Sequence, residues 1–232
     1  MSERAGCLNL SALAFDAYGT LFDVHSVVAA CEAAFPTRGE ALSRLWRDKQ
    51  LEYTWLLSLM GRYEDFWAVT EKALRYACQH LGLPCDAVTH TRLLESYHRL
   101  KAYPEVPAAL ARLAVNHRLV ILSNGTPRML AAVTRAAGLT EVFDELISVE
   151  AVGVYKPSPR VYALLPQRLG MPAEAIGFVS SNAFDITGAK AFGLRTFWVN
   201  RQDATPDGLG YPPDAVVQTL AELADRLAAE GA

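Results

Sequence analysis

Three ionisable side chains stand where a displacement reaction needs them: Asp16, Lys156 and Asp185, each just beyond a short apolar run. Asp16 closes the run Leu10-Ser11-Ala12-Leu13-Ala14-Phe15 and opens Asp16-Ala17-Tyr18-Gly19-Thr20-Leu21-Phe22-Asp23. In an open parallel sheet, ligands bind outside the carboxyl ends of the strands. An acid at the end of a first strand therefore faces the reaction crevice and reads as a nucleophile. Ser123-Asn124-Gly125-Thr126 sets small donors before a helix N-terminus, a natural anion site, although Ser123 or Thr126 taken singly reads as an N-cap. Lys156 sits in Val154-Tyr155-Lys156-Pro157-Ser158-Pro159, held extended by the proline after it, and a cation near Asp16 favours the ionised carboxylate. In Val179-Ser180-Ser181-Asn182-Ala183-Phe184-Asp185, Asp185 reads as a first-turn acid of a helix capped by Asn182. That position also allows it to face the crevice.

The elements that must position these groups follow from hydrophobic patterning. Beyond the first strand, β-rich runs at 119–123, 145–149, 176–181, 196–199 and 215–217 alternate with helical stretches, the pattern of a parallel sheet. Thr126-Pro127 and Ser158-Pro159 each put a hydroxyl N-cap before a proline at the first helical position, and Gly138, Gly170 and Gly193 read as C-terminal stops. Residues 24–100 are rich in Leu, Ala, Arg, Glu and Trp with few β-branched pairs, which reads as an all-helical insertion. The expected fold is α/β: a Rossmann-like parallel sheet flanked by helices, residues 1–23 plus 101–232, with residues 24–100 as a helical cap over the strand ends. Residues 202–213, rich in Pro, Gly and Asp, read as a surface loop.

A chain of 232 residues, 51% hydrophobic, can bury a sizeable core. With 22 basic and 25 acidic residues, a net charge of -3, it carries no electrostatic footprint for nucleic acid or an anionic membrane. No stretch approaches the roughly 18 apolar residues of a membrane span, and Met1-Ser2-Glu3-Arg4 lacks a signal peptide's apolar region. The expected compartment is the cytoplasm. Cys7, Cys31, Cys78 and Cys85 make no paired metal spacing and are too few to staple the chain, so they read as reduced thiols that mostly pack. His25, His80, His90, His98 and His117 show no ligand spacing and read as surface or cap residues. Trp46, Trp55 and Trp67 read as helical core, with Trp55 and Phe66 left open to line a pocket or a dimer face.

Taken together, these segments resemble the haloacid dehalogenase superfamily and, within it, the L-2-haloacid dehalogenases. The resemblance runs through nearly the whole chain. It rests on Phe15 to Asp23, Leu122-Ser123-Asn124-Gly125, Tyr155-Lys156-Pro157 and Phe178 to Asp185, with Leu45-Trp46-Arg47-Asp48-Lys49-Gln50-Leu51-Glu52-Tyr53 and Gly61-Arg62-Tyr63 in the insertion. The superfamily also holds phosphatases, and two positions bear on the choice. Tyr18 stands where a phosphatase carries its general acid, which a departing alkoxide needs and a departing halide does not. Ser181 stands where a related phosphatase would place a metal-binding aspartate, without which a magnesium site of oxygen ligands is poorly built.

The resemblance implies hydrolysis of short L-2-haloalkanoic acids to D-2-hydroxyalkanoic acids through an ester on Asp16, with inversion, no cofactor, no metal, and a homodimer through the cap. It places Asp16, Thr20, Arg47, Ser123, Lys156, Tyr162, Ser180, Asn182 and Asp185 in the catalytic set. Arg47 and Asn124 would contact the departing halide, and Phe66 and Phe184 would line the pocket. Ser123 and Lys156 would hold the nucleophilic carboxylate, and Asn182 and Asp185 would place or activate the water, the base being either Lys156 or Asp185. Tyr18 and the backbone amides around Tyr18 and Leu51 are expected at the substrate carboxylate. Two rival readings stand: a phosphatase or phosphonate hydrolase on the same scaffold, and a non-catalytic binding protein that keeps the fold.

Overall fold

The computed structural model of the chain describes residues 10–230, so Cys7 and Met1-Ser2-Glu3-Arg4 lie outside the described residues. Six strands, β1 (Ala12–Phe15), β2 (Arg118–Ser123), β3 (Glu145–Ser148), β4 (Ile176–Ser180), β5 (Arg195–Val199) and β6 (Ala215–Val217), form one sheet in the order β3-β2-β1-β4-β5-β6. Every neighbouring pair is parallel. The central strands are buried along almost their whole length, as expected of a sheet with helices on both faces. β1 pairs with β2 on one side and β4 on the other, Phe15 lying level with Ile121 and Val179. The chain moves outward from β1 to β3 and then returns across β1 to β4. This leaves a topological switch point beside the end of β1, where Asp16 begins the next segment.

Residues 24–99 hold no strand; they form α1 (Val28–Ala34), α2 (Gly39–Leu59), α3 (Phe66–His80) and α4 (Ala87–Ser96), with short 3₁₀ turns at either end. The periodicity explains why. α2 buries Leu42, Trp46, Gln50 and Thr54 at four-residue steps, and α3 buries Phe66, Val69, Thr70, Ala73, Leu74 and Ala77 on one stripe. Asp65 and Asp86 accept N–H bonds from Ala68 and Thr89 as N-caps of α3 and α4, each worth about 0.5–2 kcal/mol. Where the insertion leaves and rejoins the sheet the chain is zipped: Asp23 N–H donates to Lys101 O at 2.8 Å and Tyr103 N–H to Leu21 O at 3.1 Å.

The rest of the chain, α5 (Val106–Leu113), α6 (Pro127–Ala136), α7 (Pro159–Tyr162), α8 (Leu164–Leu169), α9 (Ala183–Phe192) and α10 (Leu220–Glu230), flanks the sheet. Thr126 caps α6, accepting from Met129 N–H at 3.1 Å, and Gly138, Gly170 and Gly193 take positive φ at helix ends. Two expected caps differ. Ser158 and Asn182 hold the N-cap positions, yet neither side chain makes a capping bond. Strand β3 ends at Ser148 rather than 149 because Ser148 Oγ accepts from Glu150 N–H and starts a 3₁₀ turn. Cys31, Cys78 and Cys85 are unpaired, and residues 202–212 are exposed.

Candidate active site

Asp16 follows the last residue of β1, and the turn after it is built to bring Thr20 back onto it. Three N–H groups, of Thr20, Leu21 and Phe22, converge on Ala17 O, and Gly19 takes a φ of 94°, a left-handed conformation that favours glycine. Thr20 Oγ1 then donates to Asp16 Oδ2 at 3.0 Å while accepting the Ser181 N–H at 2.8 Å. Asn182, which follows β4, gives its side-chain amide to the same Oδ2 at 2.8 Å instead of capping α9. The other oxygen, Oδ1, accepts from Lys156 Nζ at 3.0 Å.

Lys156 arrives from the loop between β3 and α7, and its ammonium bridges two carboxylates: the second is Asp185 Oδ2 at 2.8 Å. The Tyr162 hydroxyl from α7 donates to Asp185 Oδ1 at 2.7 Å, so both oxygens of Asp185 are engaged. Gly188 makes this closeness possible: a Cβ there would lie 2.5 Å from Pro157 Cβ and 2.7 Å from the Tyr162 hydroxyl. Asp16, Lys156 and Asp185 are each at most 6% exposed. Burial opposes the charge on Lys156, but Asp16 and Asp185 outweigh it and hold its pKa above the ordinary lysine value. One ammonium shared by two carboxylates cannot fully compensate both. Complete burial pushes the Asp185 carboxyl up to about 6, against the pull of Lys156 and with the repulsion of Asp16.

Asp16, Thr20, Lys156, Tyr162, Asn182 and Asp185 thus form one connected network, and Ser180 supports it by accepting the Asn182 N–H at 3.1 Å. Asn124 joins from the side, its Oδ1 accepting the Lys156 N–H at 3.2 Å. Ser123 Oγ accepts from Gly125 N–H at 3.1 Å, and no hydrogen bond joins it to Asp16 among the described residues. Arg47 reaches across from α2 and donates to Tyr18 O at 3.3 Å, while Gln50, one helical turn on, accepts from it at 2.7 Å. Leu51 lies inside α2, where its N–H serves the helix ladder, and it lines the cavity beside Arg47. The Tyr18 N–H donates to no group among the described residues.

The walls are aromatic. Tyr18 packs against Phe66 at 5.8 Å and Tyr97 at 6.3 Å, and Tyr97 against Trp46 at 4.8 Å. The Tyr18 hydroxyl is buried with no partner among the described residues, and burial, then Tyr97 and Asp16, keeps its pKa well above the usual phenol value. Phe184 lies farther out, against the half-exposed Trp55 at 5.3 Å. Tyr97 and Gln50 carry no role in the sequence reading. The i, i+3 spacing of Arg47 and Gln50 could have found the second, but no local signal marks Tyr97. Among the described residues, no three His, Cys, Asp or Glu side chains are grouped to hold a metal. The space between Asp16 and Asp185 is spanned by the Lys156 ammonium.

The haloacid dehalogenase-like hydrolase family profile matches residues 10–193, four-fifths of the chain. The chain belongs to that family. Within it, the (S)-2-haloacid dehalogenase of Pseudomonas sp. (strain YL) is 53% identical over 212 residues, 91% of each chain. The crystal structure of the L-2-haloacid dehalogenase RSc1362 superposes with a TM-score of 0.93 at 45% identity, covering 94% of this chain and 99% of that one. A second structure, the L-2-haloacid dehalogenase of Xanthobacter autotrophicus with chloropropionic acid covalently bound, gives 0.90 at 43% identity over 96% of this chain and all of the other. In this haloacid dehalogenase-like hydrolase the strand ends carry Asp16, Asn124 and Asn182, the loop before α7 carries Lys156, and α2 contributes Arg47. No helix of the described residues is long and apolar enough to cross a membrane.

Proposed function

We propose that this hydrolase converts short L-2-haloalkanoic acids to D-2-hydroxyalkanoic acids and halide. The observation that carries the reading is the single buried ammonium of Lys156, shared by Asp16 and Asp185, beside an uncharged Tyr18. That arrangement sets a cation on the nucleophile but leaves no acid at the Tyr18 position for an alkoxide expelled in the first displacement, which disfavours the phosphatase reading. Asp16 Oδ1, with one donor against two on Oδ2, attacks C2 from the side opposite the halogen. A C–O bond forms as the carbon–halogen bond breaks, the halide departs with the electron pair, and C2 inverts.

Arg47 and Asn124 stabilise the leaving halide, and the Tyr18 N–H holds the substrate carboxylate. Oδ2 becomes the ester carbonyl oxygen. When water adds at Cγ, Thr20 Oγ1 and the Asn182 amide are already aimed at the negative charge that develops there. Lys156 keeps its proton between two carboxylates, so Asp185 takes the proton from the water. Cγ–O cleavage then returns that proton from Asp185 to the departing alkoxide, which leaves as the hydroxyacid, and Asp16 regains its carboxylate by shedding the water's second proton. Residues 24–100 act as the cap that excludes water other than the reacting one.

A halide-release assay with both configurations of 2-chloropropionate, run across pH, tests this. Turnover is expected with the L form alone, giving D-lactate. A base with a raised pKa must still be ionised, so kcat is expected to fall about tenfold per pH unit below about 6. Release from the D form at a similar rate, or a flat profile down to pH 4, would sink the stereochemical and Asp185 assignments respectively.

The working unit we propose is a homodimer in the cytoplasm. Trp55, Leu56, Leu59 and Met60 at the end of α2 are 37%, 43%, 86% and 61% exposed, an apolar patch of the kind that marks association. The free Cys31, Cys78 and Cys85 suit a reducing compartment. Sedimentation is expected to give twice the 25.4 kDa chain mass, and Leu59→Glu with Met60→Glu is expected to return it to one; a monomeric wild-type chain would end this proposal.

A further inference from the structure

Arg201, just beyond β5, meets the turn that carries the nucleophile from outside. Its side chain is 15% exposed and does three things at once. One end of the guanidinium pairs with Glu105, Nη2 donates to Thr20 O at 3.1 Å, and Cζ lies 3.9 Å from the centre of the Tyr103 ring. Its Nε is buried and makes no hydrogen bond among the described residues. Glu105 and Tyr103 belong to the segment by which the insertion rejoins the sheet, and Tyr103 N–H is bonded to Leu21 O. Arg201 therefore ties together the exit of β5, the return of the insertion and the nucleophile turn.

Thr20 is held from both ends. Its carbonyl is fixed by Arg201, and its hydroxyl spans Asp16 Oδ2 and the Ser181 N–H. We propose that Arg201 is a positioning residue for catalysis: by clamping the Thr20 carbonyl against Tyr103 and Glu105, it sets the Thr20 hydroxyl on Asp16. A planar fork suits the task, because it serves a carboxylate and a carbonyl while stacking on a ring, whereas an ammonium is a single point donor. Arg201 also forms one wall of a cavity of about 220 Å³ flanked by Gly19, Arg47, Leu51 and Asn182. Sub-ångström movement of the turn would be felt on the nucleophile, since misplacement of about 1 Å can cost about 10²-fold in rate.

The kinetic arm of the test rests on the dehalogenase reading; the structural arm does not. In Arg201→Gln, kcat is expected to fall about tenfold with KM within about twofold, and Arg201→Lys, which keeps charge and stem, to recover less than half of the loss. Added to Thr20→Val, Arg201→Gln is expected to cost no more than about a further twofold, because its effect passes through a hydroxyl already removed. A crystal structure of Arg201→Gln or Arg201→Lys is expected to show Thr20 Oγ1 moved off Asp16. Independent, fully multiplicative losses in the double variant, or an unmoved Thr20 with unchanged kcat, would overturn the proposal. A wild-type enzyme that releases no halide would overturn the dehalogenase reading instead, leaving the position of Thr20 to decide the role of Arg201.

Discussion

Asp16→Asn is expected to lower halide release by about 10⁴-fold or more while the protein still folds. The amide is nearly the same size but is neutral and a poor nucleophile. Thr20 and Asn182 both donate to Oδ2, so the amide oxygen settles there and the new NH₂ turns toward Lys156 Nζ, donor against donor. Lys156 retains Asp185, and the expected cost in stability is about 1–3 kcal/mol. Halide release and a urea midpoint on the same preparation read both effects. A variant within tenfold of the wild-type rate would remove Asp16 from the nucleophile's role.

Lys156→Met is expected to damage folding as well as rate. It leaves two carboxylates buried without the cation that both use, and removing one partner of such a group destabilises by about 3–5 kcal/mol. Activity is expected to fall about 10²–10⁴-fold, as the ordering of Asp16 and the tuning of Asp185 are lost together. The pH dependence has a definite sign. Burial already raises Asp185 to about 6, and without the ammonium its pKa climbs further. A carboxyl whose folded-state pKa is raised costs stability when ionised, so the deficit against wild type is largest above about pH 6 and shrinks as pH falls. Urea midpoints at pH 5 and pH 8 check this; a deficit that grew toward acid would contradict it.

The parts of this molecule that local chemistry governs were legible from the chain. Thr126 before Pro127, the glycines at 138, 170 and 193, and the apolar runs ending at Asp16, Ser123 and Ser180 announce themselves through caps, φ and burial, and together they imply the sheet and its crevice. The resemblance added Arg47, which no spacing argument would single out on a helix otherwise full of charge. What escaped depends on contacts between distant segments. Arg201 meets Thr20 across 181 positions and Tyr155 meets Glu64 across 91, with nothing in either neighbourhood to mark the pairing. Asn182 shows a local rule giving way at a site: it occupies the N-cap position, yet its amide serves Asp16. Ser123 Oγ accepts a bond of its own turn, from Gly125 N–H, which no signal in the sequence announces.

The ester on Asp16 is tested most directly by a single turnover in heavy-oxygen water, with enzyme in excess over L-2-chloropropionate and both product and peptide read by mass. Attack by Asp16, followed by water at Cγ, puts the old carboxylate oxygen into the hydroxyacid and the heavy oxygen into Asp16. The expected result is unlabelled D-lactate and a mass gain confined to the peptide bearing Asp16. Heavy oxygen in the lactate hydroxyl with Asp16 unchanged would mean that water attacks C2 itself, and would contradict the covalent route.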